Sequence, residues 1–241
     1  MNGESAKEDE LLCQQFLKLN GYSISQLKIE YHLRHRHYSI HDQWGLGFHM
    51  DDTMRETKLR EDFIEKFGFG ILSYGAIEAM RPYQPLLEVG AGSGYWAYEL
   101  QRAGIDVIAT DPGRWYGRRK DKKDGKNPKA WPNTFTKVEK LTGYKALKKY
   151  PGRTLLFVWP PYRARWPAAL LKMYTGNTVI YMGEGYGNAC ADDRFHEILE
   201  EQFADQRYVS MPHFWGCYDR LLAIASRPKQ LTEGGLCDVR S

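Results

Sequence analysis

Glu88, Gly90, Gly92, Gly94 and Asp111 are the residues whose types and spacing point to chemistry. They stand in Leu86-Leu-Glu-Val-Gly-Ala-Gly-Ser-Gly-Tyr-Trp96 and Ile105-Asp-Val-Ile-Ala-Thr-Asp111. Glycine at a strand's end lets the backbone approach a ligand closely. A carboxylate ending the next strand can accept both hydroxyls of a ribose. The chemistry is therefore nucleoside binding. To converge, these residues need a strand entering the glycine turn, a helix over Tyr95–Ala103 and a second strand over Asp106–Thr110.

The glycine spacing separates two ligand classes. A dinucleotide fingerprint, Gly-x-Gly-x-x-Gly, requires glycine at position 95, where this chain has Tyr95; its third glycine comes one residue early, at Gly94. A ligand without pyrophosphate is favoured. Glu88, just before the first glycine, would repel a diphosphate but suits a sulfonium ligand that carries an amino-acid ammonium. These residues together resemble class I S-adenosylmethionine-dependent methyltransferases over about residues 70–228. The resemblance implies a Rossmann-like α/β sheet with helices on both faces and a terminal antiparallel hairpin. It also implies S-adenosyl-L-methionine as cofactor, bound by Glu88, Gly90, Gly92, Gly94 and Asp111.

A second motif is Arg153-Thr-Leu-Leu-Phe-Val-Trp-Pro-Pro-Tyr162. Thr154–Val158 reads as a buried strand, and Pro160 and Pro161 end it at the same sheet edge. The ending resembles the Asn/Asp-Pro-Pro-Tyr motif of methyltransferases that act on amino nitrogens of planar groups. In those, the polar side chain and the first proline's carbonyl accept from the amine while the aromatic ring packs on the plane. Trp159 stands where that motif has Asn or Asp, and an indole has one donor and no acceptor. Trp159, the Pro160 carbonyl and Tyr162 are the expected acceptor-side residues. Glu184, in Gly183-Glu-Gly-Tyr-Gly187 after the fifth strand, is a further candidate proton or hydrogen-bond acceptor.

With 241 residues, 42% hydrophobic and 14% aromatic, the chain can bury one substantial core. The expected division is an N-terminal extension and possible lid over 1–69, the catalytic domain over 70–228 and a tail over 229–241. Helices are expected over Glu8–Leu19, Arg55–Phe67 and Ser73–Met80. By position alone, Tyr74, the Phe67–Gly70 turn, and Trp44, His49, Asp51 and Asp52 are candidates to cover the site. Beyond the first two strands, the pattern predicts strands at Thr136–Glu139, Thr154–Val158 and Asn177–Met182, helices at Gly143–Tyr150, Ala168–Tyr174 and Asp192–Phe203, and a closing pair at Arg207–Pro212 and Tyr218–Ala225. No apolar run approaches the roughly 18–20 residues that cross a bilayer, and Met1–Glu10 is polar, so a cytoplasmic protein is expected. Cys13, Cys190, Cys217 and Cys237 lack metal-site spacing and are expected as free thiols. The run containing His32, His35, His37 and His41 is interleaved with arginine and reads as a basic surface segment rather than a metal site.

Charge is unevenly distributed. Arg114–Lys149 holds 13 Lys and Arg against three acids, a local balance of +10 that leaves −6 on the rest of a chain whose total is +4. Within it, residues 114–129 read as a basic loop beside the cofactor edge. Trp115, Tyr116 and Trp131 are available to stack on bases, and a solvated loop is the plain alternative. The leading expectation is methylation of a nucleobase nitrogen in nucleic acid or a nucleotide. The alternatives are a small-molecule or protein side-chain methyltransferase, and a non-catalytic cofactor-binding subunit.

Overall fold

The computed structural model describes residues 11–20, 50–113, 134–214 and 221–228, and for 50–56 the backbone only. Seven strands form one sheet in the order β3-β2-β1-β4-β5-β7-β6. They are β1 (Leu86–Val89), β2 (Val107–Thr110), β3 (Val138–Glu139), β4 (Thr154–Val158), β5 (Thr178–Met182), β6 (Asp205–Ser210) and β7 (Leu221–Ser226). The first five are parallel, and β7 runs antiparallel between β5 and β6. This is the Rossmann-like α/β sheet with a terminal hairpin that the resemblance implies. Since β1 lies between β2 and β4 and is buried along its whole length, its residues read as a near-continuous apolar run.

Alternation along the strands divides the core in two. Leu86, Leu156, Ile180, Met182, Leu222 and Ile224 face one cluster; Leu87, Val89, Leu155, Phe157, Val179, Tyr181, Ala223 and Ala225 face the other. On the first face pack α1 (Leu12–Leu19), α2 (Met50–Phe67), α3 (Tyr74–Met80) and α4 (Tyr95–Arg102). On the second pack α5 (Gly143–Lys149), α6 (Trp166–Met173) and α7 (Asp193–Gln202). Helix starts follow local chemistry: Ser73 caps α3 through Ala76 N–H at 3.2 Å, and Asp192 caps α7 through Phe195 N–H at 3.1 Å.

The N-terminal helices share the main core. Cys13, Leu17, Leu59, Phe63 and Phe67 are buried in the same cluster as β1 and α4, so a boundary at residue 69 does not separate two cores. Aromatic rings join them: Phe63 meets Phe67 at 5.0 Å and Phe214, beyond β6, at 5.2 Å, and Phe67 meets Tyr95 at 4.9 Å. The Leu12 N–H donates to buried Glu99 at 2.9 Å, anchoring α1 on α4. Among the described residues no helix is long and apolar enough to cross a membrane.

Candidate cofactor and acceptor edge

The sheet brings the C-terminal ends of β1, β2, β4 and β5 to one edge, joined by the end of β6, which runs the same way as β5. Gly90, Gly92 and Gly94 all have left-handed φ, +78°, +55° and +70°. Each conformation suits glycine because a Cβ would strain the backbone there. The turn is pinned to β2: the Gly90 and Ala91 N–H groups donate to the Thr110 carbonyl at 2.8 and 3.1 Å. At Gly90 a Cβ would stand 3.3 Å from the Trp166 ring, and at Gly94 one would stand 2.7 Å from the Val138 side chain.

Asp111 is held over this turn. Its Oδ2 accepts from Gly92 N–H at 3.1 Å and its Oδ1 from Gly113 N–H at 2.7 Å. Two oxygens with about four acceptor sites leave room for a pair of hydroxyls. Glu88 lies beneath the turn, only 2% exposed, and its Oε2 accepts from Ala97 N–H at 3.1 Å. Because Gly94 offers no capping side chain to α4, Glu88 satisfies one of that helix's unpaired N–H groups from the neighbouring strand. Burial pushes the Glu88 carboxyl up to about 8, with the Asp111 charge adding to the rise and the Ala97 bond opposing it.

The Phe67–Gly70 turn is tied to the glycine turn at two points. Ser93 Oγ donates to the Phe67 carbonyl at 2.5 Å and Trp96 Nε1 to the Gly70 carbonyl at 3.1 Å. The Phe69 ring lies stacked on Trp159, with centroids 5.1 Å apart and planes at 23°. Tyr74, the other covering candidate in that region, starts α3 and is exposed.

Trp159, Arg163 and Ala191 are the non-glycine residues with left-handed φ among those described, at +48°, +57° and +55°. A side chain in this region costs about 1–3 kcal/mol. All three belong to one connected unit at the acceptor edge. The Arg163 N–H donates to the Ala191 carbonyl at 2.6 Å, and the Ala191 N–H donates to the Pro160 carbonyl at 3.1 Å. The loop after β5 thus braces the turn after β4.

That bracing changes what the expected acceptor residues offer. The Pro160 carbonyl is engaged with Ala191. Tyr162 projects into solvent at 58% exposure, with the Arg163 guanidinium 5.0 Å over its ring. Glu184 is buried and its Oε2 accepts from Ala189 N–H at 2.9 Å, while Tyr181 OH donates to the Glu184 carbonyl, so Glu184 organises its own loop.

Trp166 against Gly90, and buried His213 beyond β6 with Nδ1 3.4 Å from the Met211 carbonyl, belong to this edge and are not among the expected site residues. A tryptophan opening a helix just past Pro-Pro-Tyr was the available clue for the first; a solitary histidine gave none for the second. Residues 114–133, the histidines of 32–41, Trp44, His49, Cys217 and Cys237 lie outside the described residues, as do the side chains of Asp51 and Asp52. Among those described, Cys13 and Cys190 are buried and in no disulfide, and no three His, Cys, Asp or Glu side chains group as metal ligands.

No family model matches the chain, and no curated protein does. Solved structures similar to it include the following three. The magnesium protoporphyrin IX methyltransferase ChlM from Synechocystis PCC 6803, with bound S-adenosylmethionine, is 12% identical over 75% of this chain and 99% of that one, with a TM-score of 0.38. The S-adenosylmethionine-dependent methyltransferase SibL in its apo form is 14% identical over 89% and 72%, TM-score 0.43. Monomeric WbdD is 12% identical over 70% and 41%, TM-score 0.35. At such identities the chemistry of this chain has to be read from its own residues.

Proposed function

We propose that this chain is an S-adenosylmethionine-dependent methyltransferase. The observation that carries the reading is the Asp111 carboxylate held 3.1 Å from the Gly92 N–H, over a turn of three left-handed glycines at the ends of adjacent parallel strands. The residues fit the cofactor: Asp111 retains acceptor capacity for the ribose hydroxyls, the glycine turn admits close approach, and Glu88 lies below it, able to ionise against the amino-acid ammonium. When bound, S-adenosylmethionine would supply a sulfonium methyl, taken by the acceptor's lone pair in an in-line displacement with the thioether S-adenosylhomocysteine as leaving group. The chain's own part is alignment and exclusion of water, and alignment alone can contribute roughly 7–11 kcal/mol. Turns and aromatic walls, rather than a cluster of acids and bases, are what such a reaction asks for.

For the acceptor, we favour a nucleobase nitrogen in nucleic acid or a nucleotide, supported by the Pro-Pro-Tyr ending, the aromatic edge and the +10 charge of residues 114–149. A second reading, a small planar molecule, is favoured by the Pro160 carbonyl already accepting from Ala191, since the amine contacts of the related motif are then reduced.

Calorimetry is expected to show binding of S-adenosylmethionine and S-adenosylhomocysteine, no competition by NAD, and weakening of both by Asp111→Ala by about 1.5–3 kcal/mol, as a charged acceptor is removed. Absence of heat with either adenosyl ligand sinks the reading. Labelled methyl transfer to RNA, DNA, nucleotides, proteins and metabolites decides the acceptor.

A further inference from the structure

We propose that Phe69 and Trp159 together form the acceptor wall, a stacked aromatic pair against which a planar nitrogen heterocycle lies for methylation. This rests on the methyltransferase reading and names the substrate class of that same edge. Three independent features converge on the pair.

First comes geometry. The two rings are nearly parallel at 23° and 5.1 Å apart, and Phe69 is 37% exposed, so the stack stays partly open to solvent instead of closing inside the core. Trp159 is partly buried at the margin of both apolar clusters, which places its indole at the sheet edge and not under either helical layer. Another flat ring added to such a stack gains contact over its whole face at little entropic cost, because both protein rings are already positioned.

Next is backbone strain. A bulky tryptophan at φ +48° is an outlier. It is held by its N–H donating to the Met182 carbonyl at 2.8 Å, and the turn it opens is braced by the Arg163 and Ala191 bonds. Strain collected in one turn and over-determined by its neighbours is of the kind that clusters at ligand-holding sites. Trp159 also replaces the polar residue of the related motif, so this edge exchanges an acceptor atom for a flat surface.

Last is coupling to the glycine turn. Ser93 and Trp96 hold the carbonyls of Phe67 and Gly70 on either side of Phe69. A Cβ on Gly70 would stand 2.8 Å from Met182 Sδ and 3.4 Å from Trp159 Cδ1, so the turn sits directly on the ends of β5 and β4. The wall is thereby fixed in relation to the residues proposed to hold the cofactor. Tyr162, exposed and covered by Arg163, is left outside it.

The test titrates quinoline, with cyclohexylamine as the non-planar amine control, into the full chain with and without saturating S-adenosylhomocysteine. Saturation-transfer NMR and calorimetry are the readouts. Quinoline is expected to bind and cyclohexylamine not. Phe69→Ala should weaken quinoline by about five- to 150-fold, and Phe69→Trp should restore it. Affinity for S-adenosylhomocysteine should stay within about twofold in both variants, as expected of separate sites. Trp159→Leu should match Phe69→Ala; if it fails to fold, the surface pair Phe69→Ala and Phe69→Trp decides alone. Quinoline binding no better than the control, or equal in wild type and Phe69→Ala, overturns the wall. A parallel loss of S-adenosylhomocysteine in Phe69→Ala overturns it too, by assigning Phe69 to the cofactor. If wild type ignores S-adenosylhomocysteine yet binds quinoline through Phe69, the planar-ligand site stands while its role in methylation falls with the methyltransferase reading.

Discussion

Glu88 combines a structural role with the ligand role proposed for it. Its carboxyl is raised from 4.5 to about 8 by burial, so the folded chain holds a proton that the unfolded chain releases. The sign follows: stability linked to this group is fully present below about pH 4.5 and is lost as pH rises towards 8. A bound ammonium reverses the preference by favouring the carboxylate. S-adenosylhomocysteine binding near pH 7 should therefore expel up to about one proton, measurable by calorimetry in buffers of different ionisation enthalpy, and should tighten towards pH 8. Glu88→Gln is expected to keep the bond from Ala97 N–H while abolishing both trends. Unchanged proton release in that variant would place the ammonium elsewhere.

At the scale of elements, the glycine turn is specified by both conformation and space. Gly94 combines φ +70° with a Cβ position 2.7 Å from Val138 and 3.3 Å from the Thr136 methyl, so the start of α4 and the entry to β3 share that volume. Gly94→Ala is expected to cost about 1–3 kcal/mol through crowding and left-handed strain. Denaturant titration checks this, and an unchanged midpoint would mean that β3 yields freely. The turn after β4 works differently. Its form depends on a bridge to Ala191, about thirty residues downstream, which no local propensity encodes.

For the molecule as a whole, the N-terminal helices are part of the sheet's first apolar layer. Leu17 of α1 is fully buried in the cluster that includes Leu86 and Leu156. Leu17→Ala should lower stability by about 2–5 kcal/mol. It should shift one transition seen alike by far- and near-ultraviolet circular dichroism, whereas separate transitions would make α1 and α2 an independent unit. The charge asymmetry bears on partners. Neutralising Arg118, Arg119, Lys120, Lys122 and Lys123 together should weaken RNA binding and flatten its salt dependence by roughly 0.7–0.9 for each phosphate no longer neutralised. Binding and salt slope unchanged from wild type would remove nucleic acid as the acceptor.

Much of the fold was written in local sequence. Thr154–Val158 matches its strand to the residue, and the other described strands and α-helices lie within a few positions of the expected bounds, except that α2 begins at Met50 rather than Arg55, because apolar runs, glycine turns and helix caps act over short distances. Glu88, the three glycines and Asp111 were legible together for the same reason: they occupy one strand-turn-helix-strand unit of about 25 residues, whose parallel pairing brings its ends together. What the sequence alone left open was the state of each acceptor-side group. The motif offered a Pro160 carbonyl, a Tyr162 ring and a Glu184 carboxylate. Tertiary packing gave the first to Ala191, turned the second to solvent and used the third to hold its own loop. Trp166 over Gly90 and Phe69 on Trp159 likewise exist only once distant segments meet. Hydrogen-bond partners and ring stacks between elements are decided by the packed chain, because nothing in the local pattern of either partner specifies the other.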